Sequence, residues 1–221
     1  AHWTYEFAAA AQDAGLPCLV TAHDSPLAIL RYFVLTRYFP FWTARAVLGA
    51  IVIRRALRMT TVSPYCRTDI IRALHPSAPI SVVPNGIAAD LLEAGRKRLA
   101  RGIPAGAFTV ATALEGFQER KNPKPAIAAF AQIRTAFPDA KLQMFGTGYE
   151  SGGPAEVWSR AHALANGVQF MGKVPHADLM AHMTQNVHVL VHPAKEESFG
   201  MAPLEAMALG IPVIGGRDSG G

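Results

Sequence analysis

The sequence predicts an α/β protein built on parallel sheets, and three observations carry that prediction. Short apolar runs bounded by turn residues alternate with segments of helical character along the chain. The runs are almost continuously apolar, as strands covered on both faces must be. Their order is strand, helix, strand, which favours a parallel sheet over a bundle or a sandwich. The chain has 221 residues, half of them apolar, so it can bury a core in one large domain or two small ones.

Taken in order, "LPCLVTAH" (16–23) reads as a buried strand, and the arginine-rich segment after it as helices. "MTTVS" (59–63) is a short strand, "YCRTDIIRAL" (65–74) a helix, and "ISVVPNG" (80–86) a strand that ends in a turn. The next stretch, "IAADLLEAGRKRLARGIPAGA", is polar and reads as flexible, with a charge cluster at Arg96, Lys97 and Arg98. It is the best candidate for a boundary between domains.

A second series follows. "FTVATAL" (108–114), "KLQMFGTG" (141–148), "VQFMGKV" (168–174), "VHVLVHP" (187–193) and "IPVIGG" read as strands. Between them lie helices at 125–137, 154–164, 176–185 and 203–210, the last with Pro203 in its first turn and Gly210 at its end. The expected organisation is therefore two Rossmann-like domains with parallel sheets, the N-terminal one incomplete. Residues 1–84 form the first, 85–105 the linker and 106–221 the second. The first half has about three strands, too few for a free-standing domain. The chain opens on "AHWTYEF" without a methionine and stops on "RDSGG", so both ends read as cut from something longer.

Composition narrows the function classes. The two cysteines, Cys18 and Cys66, are too few for a disulfide framework and lie in apolar settings. Buried thiols in a reducing, cytoplasmic compartment are the expected reading. No uncharged apolar run reaches the about 18 residues of a membrane span. The net charge is +5, unevenly spread: between Asp24 and Asp69 there is no acid, yet there are seven arginines, among them Arg31, Arg37, Arg45 and Arg54. Interleaved with "YFVLTRYFPFW", residues 25–58 suit an anionic membrane surface. They also suit two ordinary helices with solvated arginines, broken at Pro40. No nucleic-acid recognition motif accompanies the charge, so nucleic acid is not an expected partner.

In open parallel sheets ligands bind beyond the carboxyl ends of the strands, and several motifs fall at such ends. In "EGFQERKNPKP", Arg120 and Lys121 precede a helix whose N-terminus adds its own positive end. This arrangement suits a diphosphate, and equally a solvated basic turn. "GTGYESGG" offers the amides of Gly146 and Gly148 without side-chain obstruction, or is only a turn. In "PAKEESFGMAPLEAMALGIPV", Glu197 lies in a loop and Glu205 in the helix that follows. Carboxylates so placed need donors, and sugar hydroxyls supply them. The other reading has Glu205 stabilising its own helix start and Glu197 exposed. His188 and His192 alternate on one strand and read as structural.

"EESFGMAPLEAMALGIPVIG" resembles the E-x7-E signature of the retaining glycosyltransferases of family 4, which have the GT-B fold. "VTAHDSP", "TVSPYC", "VVPNGI", "RKNPKPAIAAF", "FGTG", "FMGKVP" and "VHPAKEESFG" resemble that family's blocks in the same order, through essentially the whole chain. The resemblance implies two Rossmann-like domains facing across a cleft, with a UDP- or GDP-sugar bound mainly by the second. By it, Glu197 contacts hydroxyls of the donor sugar and Glu205 the ribose. The backbone of Phe199, Gly200 and Met201 meets the sugar and the diphosphate, and Lys121 is the diphosphate lysine. His23 lines the cleft near the transferred sugar, Gly172, Lys173 and Val174 border the base, and Pro84, Asn85 and Gly86 match the crossover block. The family often carries an arginine five or six residues before the lysine. Gly116 and Glu115 stand there in this chain, and Arg120 is the candidate substitute.

The expected activity is transfer of a sugar from a nucleotide donor to a lipid-linked or polysaccharide acceptor, with retention of configuration as the resemblance implies. No cofactor is implied. No Asp-x-Asp occurs to ligate a metal at the diphosphate, so lysine, arginine and helix dipole are expected to stabilise the leaving group. Two other readings stay open: a nucleotide-sugar epimerase, which lacks an evident acid–base pair here, and a non-catalytic scaffold or membrane-surface module.

Overall fold

A computed structural model describes residues 1–217 and 219 of the chain. The last residues of the second expected domain, Asp218, Gly220 and Gly221, lie outside the described residues. The chain divides into two compact units. The first comprises Ala1–Asn85 with Glu196–Phe199, the second Gly86–Lys195 with Gly200–Ser219.

In the first unit, α1 (Glu6–Asp13) leads to β1 (Val20–Ala22), α2 (Pro26–Leu30) and α3 (Phe39–Arg55) to β2 (Met59–Thr61), and α4 (Pro64–Leu74) to β3 (Ile80–Val82). The three strands pair in parallel in that order, with Val20 opposite Met59 and Met59 opposite Ile80. Val20, Ile53, Met59 and Ile70 form the centre of its core. α4 starts where local chemistry favours it: the Ser63 hydroxyl accepts the Cys66 N–H at 3.1 Å, and Pro64 occupies the first helical position.

Several expectations need correction here. The strand expected from residue 16 pairs only from Val20. Pro17 has no N–H to contribute, and Leu16 and Leu19 are exposed. Cys18 is half-buried rather than buried, while Cys66 is 1% exposed. Burial, reinforced by the Asp24, Asp69 and Glu196 carboxylates, pushes the Cys66 thiol up to about 12, which leaves it inert. Pro40 does not break the arginine-rich segment. It sits in the first turn of α3, where a missing N–H costs nothing, and turns over residues 31–38 make the interruption.

The second unit opens with α5 (Ala89–Arg101), the stretch expected to be flexible. Leu91, Gly95 and Arg98, four and three residues apart, put one face of this helix into the core. β4 (Thr109–Ala113), α6 (Pro123–Ala136), β5 (Lys141–Phe145), α7 (Pro154–Ala161) and β6 (Val168–Gly172) follow. α8 (His176–Asn186), β7 (Val189–His192), α9 (Met201–Ala208) and β8 (Val213–Gly215) complete it. Gly95 is what lets α5 lie against α9: a Cβ there would stand 2.0 Å from the Ala208 carbonyl oxygen.

The five strands run parallel in the order β6-β5-β4-β7-β8. Successive residues serve opposite faces, as the strand period of two requires. Val110, Leu142 and Met144 pack with Ile127 and Phe130 of α6. Ala111, Phe145 and Leu190 pack with Met180 and Met183 of α8 and Ala206 of α9. At the amino edge of this sheet the buried Arg98 guanidinium donates to the Val187 and Gly210 carbonyls, both at 2.8 Å. His188 accepts from the Thr109 N–H at 3.1 Å and donates to the Pro104 carbonyl at 3.0 Å, which gives it the structural role expected. No helix among the described residues is long and apolar enough to cross a membrane.

Candidate functional site

Strand order in the second sheet reverses between β4 and β7, and a switch of this kind opens a crevice at the carboxyl ends of the two strands. The loops that leave β4 and β7 are tied together there. The Asn122 side-chain amide donates to the Pro193 carbonyl at 3.0 Å, and the Lys195 N–H to the Arg120 carbonyl at 2.9 Å. Lys195 Nζ also pairs with Glu119 at 2.9 Å and holds that carboxyl below its usual range.

The tied loop carries Arg120 and Lys121 to the start of α6. Lys121 is 9% exposed, and Arg120 Nε is buried with no hydrogen-bond partner among the described residues. A buried guanidinium nitrogen without a partner, close to the positive end of a helix, suits an anion. Gly116, one of the two positions where the resemblance implies an arginine, adopts φ +86°, and its N–H donates to the Thr147 carbonyl at 3.0 Å. A branched or long residue there meets both backbone strain and the Gln118 side chain.

The glycine turn after β5 acts differently from what its sequence suggests. The Gly146 N–H donates to the Gly172 carbonyl at 2.8 Å, and the Gly172 N–H to the Tyr149 carbonyl at 2.8 Å. The Gly148 N–H is bound by the Glu150 carboxylate at 2.7 Å. The first two bonds tie the end of β5 to that of β6 and the third is local, so the expectation that Gly146 and Gly148 offer unobstructed donors is corrected. Only glycine fits at 146: φ is +117°, and a Cβ would stand 1.8 Å from the Leu114 carbonyl oxygen.

The knot leaves a cleft of about 420 Å³ against the ends of β4, β5 and β6, lined by Glu115, Gly146, Lys173, Val174, Pro175 and His176 among others. Lys173 and Val174 thus face a cavity, and Gly172 precedes them as the last residue of β6. His176, the first residue of α8, places Nε2 2.9 Å from Oε1 of Glu205. Glu205 lies in the second turn of α9, which starts at Met201 after Gly200 in a left-handed cap conformation. Its side chain is 14% exposed. It reaches His176 at the start of a neighbouring helix. His176 was missed in the sequence. Its place directly after "GKVP", at a strand end, was the available signal.

The remaining site candidates belong to the first unit. His23 follows β1, with Nε2 2.8 Å from Nδ1 of His2 and its ring 4.9 Å from that of Trp3. Burial, with His2 adding to it, holds His23 below the ordinary imidazole value, so the ring is neutral near pH 7. Glu197 and Phe199 are half-buried in the segment Glu196–Phe199. Glu196, also missed, is 2% exposed and bonds to Arg31 and to Tyr65. Burial and then the Glu196 bond push the Tyr65 hydroxyl up to about 12, so it stays protonated and donates. Within the second unit, then, Arg120, Lys121, Gly146, Gly148, Gly172, Lys173, Val174, Gly200, Met201 and Glu205 all lie on the carboxyl side of one sheet. His23, Glu197 and Phe199 group with the first unit.

Comparison with known proteins agrees with this arrangement. Residues 107–221 match the family model described as "Glycosyl transferases group 1", and residues 1–91 the one described as "Glycosyltransferase Family 4". The GDP-mannose-dependent alpha-(1-6)-phosphatidylinositol monomannoside mannosyltransferase of Mycolicibacterium smegmatis is 30% identical over 191 residues, 76% of this chain and 48% of that protein. The D-inositol 3-phosphate glycosyltransferase of Corynebacterium diphtheriae is 26% identical over 190 residues, 80% of this chain and 44% of that protein. Among solved structures, sucrose-phosphate synthase from Thermosynechococcus elongatus superposes with a TM-score of 0.74 at 23% identity, over 97% of this chain and 54% of that one. The chain spans about half the length of the curated relatives it matches. The parallel α/β units with their edge of loops, and the family model that covers the whole of that edge, lead to one conclusion: the chain belongs to the glycosyl transferases of group 1.

Proposed function

We propose that this chain is the donor-binding part of a glycosyltransferase. The enzyme moves a sugar from a UDP- or GDP-sugar to a lipid-linked or polysaccharide acceptor, with retention of configuration and without a metal ion. The observation that carries the reading is the buried Lys121, next to the unsatisfied Arg120 Nε and beside the N-terminus of α6. Donors so arranged stabilise the charge of a departing nucleoside diphosphate without reorganising during the reaction. The cleft at Lys173 and Val174 is assigned to the base, and Glu205, oriented by His176, to the ribose hydroxyls. The roles of Glu197 toward the sugar hydroxyls, of the Phe199–Met201 backbone, and of His23 near the transferred sugar are carried over from the family resemblance. A neutral His23 suits a hydrogen-bonding partner for hydroxyls better than a counter-ion for phosphate.

The test is calorimetry on the full-length protein with GDP-mannose and UDP-glucose. One of them is expected to bind, and Glu205→Ala to weaken that binding about 10-fold or more. Absence of binding by both nucleotide sugars would overturn the proposal. A product analysis that finds an isomerised nucleotide sugar instead of a glycoside would replace it with the epimerase reading.

A second part of the proposal is contact between residues 25–58 and an anionic membrane face on the cytoplasmic side. Leu35 is 99% exposed and Phe41 56%, and Val47 and Ile51, one turn apart on α3, are exposed as well. Arg31, Arg45 and Arg55 bond to Glu196, Glu6 and Asp13, and Arg37 donates to the Tyr38 hydroxyl, so Arg54 and Arg58 are the arginines assigned to lipid headgroups. Co-sedimentation with vesicles rich in anionic lipid checks this. Phe41→Ser combined with Leu35→Ser is expected to abolish it.

A further inference from the structure

Glu196 stands next to Glu197, and only the second belongs to the family signature. At 2% exposure the Glu196 carboxylate has lost nearly all contact with water. It is matched instead by the Arg31 guanidinium and by the Tyr65 hydroxyl, which lies 3.0 Å from both carboxylate oxygens. Two residues further on, the Ser63 hydroxyl donates to the main-chain carbonyl of Ser198.

These anchors come from separate helices. Arg31 closes α2, Ser63 caps α4, and Tyr65 lies in the first turn of α4. They grip the segment at positions 196 and 198, one on each side of Glu197. A chain held at one point can pivot, whereas one held at two points has a fixed course. Packing alone does not call for a carboxylate here, since an apolar side chain of similar size fills such a space at less cost. What the charged group adds is direction: its partners satisfy it in one orientation only.

We infer that Glu196 is a positioning residue, whose buried carboxylate, gripped by Arg31 and Tyr65, fixes the main chain around Glu197 so that Glu197 meets the donor sugar in a single orientation. This inference rests on the donor-binding reading above and adds to it a residue outside the signature.

The experiment uses the full-length protein and calorimetry with two probe pairs, GDP-mannose with GDP and UDP-glucose with UDP. Within the pair that binds, the ratio of the two affinities measures what the sugar contacts add to the nucleotide contacts. Glu197→Ala is expected to abolish that ratio. Glu196→Gln is expected to lower it about 10-fold and Tyr65→Phe about 3-fold, with the affinity for the nucleoside diphosphate unchanged. In the Glu197→Ala background, Glu196→Gln is expected to change the ratio no further, because its effect passes through Glu197.

A purely structural ion pair behaves otherwise. If Glu196→Gln weakens nucleotide and nucleotide sugar equally, lowers only the melting temperature, or adds its full effect to that of Glu197→Ala, the inference is overturned. Tyr65→Phe removes a single hydroxyl and keeps the test decisive should Glu196→Gln fail to fold. If neither probe pair binds, the donor-binding reading falls and the inference falls with it. If a pair binds and only the Glu196 and Tyr65 effects are missing, the reading stands and the inference alone fails.

Discussion

Two buried cations stand at opposite edges of the five-stranded sheet, and they use their charge in different ways. At the amino edge, Arg98 is 7% exposed and donates from its two terminal nitrogens to main-chain carbonyls, those of Gly210 and Val187, while its Nε has no partner among the described residues. Burial lowers its affinity for the proton, yet arginine stays charged, and the carbonyls supply partial charge enough to hold it. At the carboxyl edge, Lys121 is 9% exposed and lies beside the N-terminus of α6, where the helix itself is positive. The first placement closes a joint between α5, α8 and α9. The second adds positive potential to that of the helix start. The same cost of desolvation closes a joint at one edge and, by the function proposed above, serves recognition at the other.

Substitutions can break that contrast, and the largest effect is expected at Lys121. In the full-length enzyme, Lys121→Ala should reduce sugar transfer by roughly 10²–10³-fold, while the melting temperature moves by no more than about 2 °C. A variant that unfolds, or one that transfers normally, would remove the distinction between the edges. Gly146→Ala should come next, with a loss of about 3 kcal/mol in denaturant unfolding. It puts a Cβ against the Leu114 carbonyl at a positive φ. The carboxyl edge therefore also contains scaffold, and a tolerated alanine would refute that.

Arg98→Leu sharpens the other side of the comparison. It leaves two carbonyls without their donor and should cost about 2 kcal/mol in urea unfolding, with transfer per folded molecule unchanged. A fall in turnover without a fall in stability would place Arg98 with Lys121.

The smallest effect concerns His182 on α8, whose Nε2–H donates to the Gln143 side-chain oxygen at 2.8 Å. Burial lowers its value, so the unfolded chain takes up a proton more readily than the folded one. The stability it contributes is complete above about pH 6.5 and is lost as the pH falls toward the folded value. His182→Gln should flatten this slope in unfolding measured between about pH 5 and pH 7, by a few tenths of a kcal/mol after solvent screening.

Much of the second unit was legible in the sequence because its information is local. Apolar runs such as "KLQMF" bury alternate residues on two faces whatever lies around them, and Pro123 and Pro154 mark helix starts by their own geometry. The polar stretch around Arg96 was misread as flexible for the opposite reason. Its helix is stabilised by one narrow face, Leu91, Gly95 and Arg98, whose partners lie near residues 187 and 208–210. A window read along the chain sees only its charges.

The site divides in the same way. The signature around Glu197 and Glu205, the cation pair Arg120 and Lys121, and the segment Gly172–Val174 could be marked from residue type and position at strand ends. His176 and Glu196 could not, because each gains its meaning from a partner far away in sequence: Glu205 for the first, Arg31 and Tyr65 for the second. The glycines after β5 were marked for the wrong reason, since whether an amide awaits a ligand or holds Gly172 depends on which strand ends converge.

By itself, then, the sequence determined the parallel α/β class, the strand–helix order and the family, because periodicity, capping residues and a dense local signature survive without tertiary context. Only the tertiary structure decided which partners the buried charges meet: main-chain carbonyls for Arg98, a guanidinium and a phenol for Glu196. Hydrogen bonding and desolvation depend on distances of a few ångströms between residues that the chain keeps far apart.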